Sequence, residues 1–136
     1  IAPHAGGGPF FSGVVETGGH IASMTAVQTG AADLAAIDCI TFDLLRRHAP
    51  ERLEGLVVLD QTPSGPNLPF ITRLSATDEE LTALRSALRA AMTAPELSEA
   101  RAMLGLKDVV VLEETAYDIL LQHEQAAIRA GYPDLP

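Results

Sequence analysis

Val14-Val15-Glu16-Thr17-Gly18-Gly19-His20-Ile21-Ala22-Ser23 and, one short helical segment and a turn later, Leu34-Ala35-Ala36-Ile37-Asp38 are the stretches that decide how this chain is expected to fold. In each, an apolar run suited to a buried strand gives way to small or polar residues that lead into a helical pattern. Repeated strand-to-helix transitions predict an α/β architecture with a parallel sheet. In open sheets of that kind ligands bind in the crevice beyond the carboxyl ends of the strands. Both turns are therefore expected to be ligand-facing loops.

The pattern continues on either side. Phe10 to Val15 predicts a short buried strand, and Ile21, Met24 and Val27 recur at helical spacing. Gly30 stands where a glycine ends a helix. Leu34 to Ile37 is continuously apolar, as expected of a parallel strand covered on both faces. Phe42, Leu44 and Leu45 predict a helix over 41–48, with Arg46, Arg47 and His48 at the end where cations suit the helix dipole and Pro50 closing it. Leu56 to Leu59 predicts another strand. The segment 62–69, punctuated by Pro63, Pro66 and Pro69, cannot be helical. Beyond it Phe70 to Arg73 reads as a strand, and Thr77 with Glu80 as a capping box before a helix with Leu81, Leu84, Leu88 and Met92 on one face. Pro95 opens a helix carrying Leu97, Ala100 and Leu104 that Gly105 ends. Val109 to Leu112 is a β-branched run, and residues 115–130 predict a last helix, stopped by Gly131 and Pro133.

Composition narrows the function classes. With 136 residues, 47% of them hydrophobic and 20% charged, the chain suits one globular core. Eighteen acidic against nine basic residues give a formal net charge of -9, which argues against a nucleic-acid partner, since phosphate backbones require clustered cations. An anionic small ligand is not excluded, because backbone N–H groups at a helix N-terminus bind oxyanions locally. The single cysteine, Cys39, permits no internal disulfide, and no Cys/His group has metal-site spacing; neither metal nor cofactor is expected. No apolar run approaches the ~20 residues of a membrane span, and no export signal opens the chain. Its first residue is Ile1, and the Gly6-Gly7-Gly8-Pro9 opening reads as a loop entered midway, so the chain is expected to be a fragment of a longer protein.

Thr17 to Ser23 has the ingredients of an anion pocket: glycines that allow close backbone approach, the unpaired N–H groups of a following helix, and Thr17, His20 and Ser23 as side-chain donors. The same residues also describe a simple strand-to-helix turn. Asp38 is either the N-cap of the next helix or a cleft residue accepting from a ligand hydroxyl or amine, and one carboxylate can do both. Cys39 beside it suggests a thiol enzyme with His20. Adjacent side chains on an extended segment point to opposite faces, however, so Cys39 is expected to be a buried, inert thiol. His123 with Glu124, and Glu113 with Glu114, lack the further ligands of a helical metal site and are expected on solvated faces.

Taken together, Val14 to His20, Ser23, Ala26-Val27, Gly30, Ala32 to Asp38, Leu68-Pro69-Phe70 and Ala130-Gly131-Tyr132-Pro133 make the chain resemble the C-terminal half of the phosphate/phosphonate-binding family of type II periplasmic binding proteins. The resemblance covers nearly the whole chain. It implies an α/β, two-lobed, type II periplasmic-binding-protein-like fold: 1–61 as part of lobe two with the ligand loops, 62–69 as hinge, and 70–136 returning to lobe one. It further implies a non-enzymatic, extracytoplasmic receptor that passes a small oxyanion ligand to the membrane permease of an ABC importer, with Thr17, His20, Ser23 and Asp38 as ligand contacts. Gly19 stands where many relatives carry Ser, and the Ser/Thr-rich anion loop of the family is absent. The apolar runs are thus expected to pack against a missing N-terminal segment or a homodimer partner. An effector-binding domain of a transcriptional regulator is the alternative, because fold does not fix function.

Overall fold

The computed structural model describes residues 1, 4–6, 8–66 and 68–135. Gly7 of the glycine-rich opening and Asn67 of the 62–69 connector lie outside the described residues, as do Ala2, Pro3 and Pro136.

Helices form where periodicity and termini agree. Among the described residues they are α1 (His20–Gln28), α2 (Cys39–His48), α3 (Asp78–Thr93), α4 (Ser98–Leu104) and α5 (Asp118–Arg129), with 3₁₀ turns at Pro50–Leu53, Pro95–Leu97 and Glu114–Tyr117. Gly30 ends α1 as expected. Its φ of 74° is left-handed, and this lets Gly30 N donate to Val27 O (3.1 Å) and Ala31 N to Ala26 O (2.8 Å), the bond pair of a Schellman motif. The same pairing closes α4, through Gly105 and Leu106, and α5, through Gly131 and Tyr132.

The chain divides into two compact units, 1–64 with 119–136, and 65–118. In the first, α2 packs against the Pro50–Leu53 turn, and Gln28 at the end of α1 donates to Arg52 O (3.0 Å) and Glu54 O (2.9 Å). In the second, the capping box of α3 is present: Glu80 N donates to Thr77 Oγ1 (3.2 Å) and Thr77 N to Glu80 Oε2 (2.9 Å). At the other end of α3, the Arg101 guanidinium donates to Ala91 O (2.8 Å), a carbonyl that the helix end leaves unpaired, and to Ala94 O (2.7 Å) just beyond it.

The expected sheet does not form. No strand occurs among the described residues, so the α/β, type II periplasmic-binding-protein-like fold inferred from the sequence is corrected to an assembly of helices joined by irregular segments. The physical reason is that a strand requires a neighbour about 4.8 Å away to pair its N–H and C=O groups, and an apolar run carries no such neighbour with it. The runs around residues 10–15, 34–37, 56–59, 70–73 and 109–112 have strand-like composition but no ladder partner among the described residues. Val57 (79%), Leu59 (75%) and Ile71 (88%) are consequently exposed, and Met24 on α1 is the one buried apolar side chain among the described residues. The total accessible area is 10881 Å², whereas a folded monomer of 14.3 kDa would show about 6,800 Å².

Replacing Thr77 with Ala removes one half of the α3 capping box and is expected to destabilise that helix by about 1 kcal/mol, read as lost helicity and an earlier urea midpoint by circular dichroism. Thr77→Asp, which restores a capping oxygen, should recover both.

Candidate functional site

Gly19 precedes α1 with an extended backbone and offers no side-chain cap. The first helical bond of α1 runs from Ser23 N to Gly19 O (2.9 Å). The amides of His20, Ile21 and Ala22 therefore precede any i→i−4 acceptor, and they concentrate the positive end of the helix dipole at this point. An open depression of about 380 Å³ lies here, lined by Thr17, Gly18, Gly19, His20, Ile21, Ala22 and Thr41.

Two contacts bring the four sequence-predicted residues together in pairs. His20 Nε2 lies 3.0 Å from Asp38 Oδ2, and the Thr17 and Ser23 hydroxyls are 2.6 Å apart. Thr17 and His20 line the depression; Ser23 and Asp38 are not among the lining residues, and each contacts one that is. The Thr17 hydroxyl also donates to Gly19 O (3.2 Å), so the Ser23 hydroxyl supplies the proton between the pair. Both hydroxyl protons are thereby committed to holding the Gly18-Gly19 turn, and either must rotate before it can donate to a ligand.

Asp38 caps α2. Its Oδ1 accepts from Ile40 N (3.0 Å) and Thr41 N (2.9 Å) at the start of α2, while Oδ2 serves His20. The Thr41 side chain and amide, followed by the charge of His20 and the Ile40 amide, hold the Asp38 carboxyl below its ordinary pKa of 3.8, against an opposing effect of burial. Thr41 escaped the sequence reading. Its position three residues after a capping Asp, where the third helical amide returns to the cap, was the available signal.

Cys39 also departs from expectation: the thiol is exposed, not buried. As the first residue of α2 it belongs to a helix turn and not to a strand covered on both faces. Glu113, Glu114, His123 and Glu124 are exposed, and no group of three His, Cys, Asp or Glu among the described residues is placed to hold a metal ion. No described helix is long and apolar enough to cross a membrane.

A family model described as ABC transporter, phosphonate, periplasmic substrate-binding protein matches residues 5–117. The chain belongs to this family. Comparison with curated proteins and with solved structures gives no match. The matched range of the phosphonate-binding family contains α1, α2, the depression and all four paired side chains, so the site lies within the part of the chain that carries the family pattern.

Because the folded-state pKa of Asp38 is depressed, its contribution to stability is fully present above the unfolded value and is lost as pH falls through the lowered folded value. The difference between urea titrations of the natural chain and of Asp38→Ala should therefore be widest above the ordinary carboxyl value of 3.8 and narrow as the solution is acidified below it, down to about pH 2. A gap that stays constant down to that pH would show that the carboxylate charge contributes nothing.

Proposed function

We propose that this chain forms part of the ligand site of an extracytoplasmic solute receptor for a phosphonate- or phosphate-like oxyanion, which it passes to the membrane permease of an ABC importer without chemical conversion. What supports the reading is an imidazole held by a carboxylate at an uncapped helix N-terminus, in a chain of the phosphonate-binding family. The amides at the start of α1 and the His20 ring would take the oxyanion. Thr17 and Ser23 would join it after rotation of their hydroxyls, and Asp38 would hold the site together and accept from a protonated group on the ligand. The net charge of -9 does not oppose this, because aligned amides at close range act locally while distant surface charges are screened within about 10 Å.

The exposed apolar runs belong to the same proposal. Further polypeptide, either a preceding N-terminal segment or a second copy of the chain, would cover Val57 to Leu59, Phe70-Ile71 and Val110 to Leu112, since contiguous apolar surface of this kind drives association.

Isothermal titration of methylphosphonate into the natural chain and into His20→Ala is expected to show at least tenfold weaker binding by the variant, the usual scale for a hydrogen bond to a charged group. Equal affinities would remove His20 from the site. In size-exclusion chromatography with light scattering, the chain should elute as a dimer or larger species that binds a hydrophobic dye; a monodisperse 14.3 kDa monomer without dye binding would overturn the covering proposal.

A further inference from the structure

The contact between His20 Nε2 and Asp38 Oδ2 (3.0 Å) decides which ring nitrogen remains for a ligand. An ionised carboxylate only accepts hydrogen bonds, so Nε2 must carry a hydrogen. A neutral imidazole has one N–H, and Nδ1 is then left with a lone pair, which repels an oxyanion. Nδ1 has no hydrogen-bond partner among the described residues, and it becomes a donor only when the ring gains a second proton.

We infer that Asp38 is a positioning residue that makes oxyanion capture by His20 proton-linked: by fixing the hydrogen on Nε2, it obliges the ring to take a proton from solvent onto Nδ1 as the ligand binds. This deepens the proposed binding function and rests on it. The proton balance is simple. Nε2 keeps its hydrogen toward Asp38, Nδ1 gains one from water or buffer, and release of the ligand returns it. Because binding takes up a proton, capture is favoured as pH falls and release as it rises. Asp38, at the start of α2, is the titratable group against His20. The residues around the ring in the depression, Thr17 to Gly19, Ile21, Ala22 and Thr41, carry no charge, and α1 has no other charged residue.

Asp38→Asn separates positioning from capping, because Asn caps a helix as well as Asp does, while its amide N–H can donate to Nε2 and so move the ring's hydrogen to Nδ1. Imidazole ¹⁵N NMR of the full chain without ligand at pH 8.5 should show the Nε2–H tautomer in the natural chain and the Nδ1–H tautomer in Asp38→Asn. Calorimetry with methylphosphonate at pH 8.5, in two buffers of different ionisation enthalpy, should show the natural chain taking up about one proton more per ligand bound than the variant. Its affinity should also fall with rising pH, where that of the variant stays level. If Asp38→Asn does not fold, Asp38→Ser keeps a capping hydroxyl and frees Nε2, and the same difference in proton uptake is expected. An Nδ1–H tautomer in the natural chain, or equal proton uptake by both proteins, would overturn the inference and leave the binding site standing. An Nε2–H natural chain that binds no methylphosphonate would overturn the site itself, and the linkage with it.

Discussion

The Asp38 carboxylate accepts from Ile40 N, Thr41 N and His20 Nε2, and these three bonds hold the N-termini of α1 and α2 next to each other. Two helix starts each present a partial positive charge, so an anion between them offsets their repulsion and meets the donors of both. The opposite end of α1 is fixed separately, by Gln28 on the carbonyls of Arg52 and Glu54 just after α2. A nine-residue helix spans about 14 Å; tethered at both ends to one neighbour, it keeps its free amides pointed at a constant place.

Electrostatics at this place are local and modest. The His20 and Asp38 side chains are 45% and 32% exposed, so water screens their attraction, and exposed ion pairs contribute little to stability by themselves. Their value lies in orientation. A ring that swung freely would present either nitrogen, whereas a ring held through Nε2 presents Nδ1. The same logic applies to the Thr17 and Ser23 hydroxyls, which stabilise the glycine turn at the expense of being ready-made donors.

Features with local causes were legible in the sequence. Thr77 with Glu80, Gly30, Gly105 and Gly131 each act within one helix turn, and each stands where periodicity and cap chemistry place it. The candidate site was legible for the same reason, since all of its contacts fall between residues 17 and 41; Asp38 remained ambiguous because capping and ligand contact make the same demand on one carboxylate. What the sequence could not show was pairing. Leu56 to Leu59 and Val109 to Leu112 are apolar and β-branched, yet the composition of a run says only that it gains by burial, not which neighbour will supply its hydrogen bonds. Cys39, expected to be a buried thiol, is the exposed first residue of a helix.

This difference in range bears on how the site and the rest of the chain depend on each other. Bringing residues 17–41 together closes only short loops, and the entropic penalty of closure grows with loop length, so the pairing of His20 with Asp38 and of Thr17 with Ser23 does not need the apolar runs to be covered. The runs, by contrast, lack any local means of burial. Local helix bonds therefore suffice to preform the paired side chains, while Val57 to Leu59, Phe70-Ile71 and Val110 to Leu112 stay exposed. A site built in this way sets its side chains by local bonds alone, and any loss of water from it would strengthen each charge-assisted bond as the local dielectric falls.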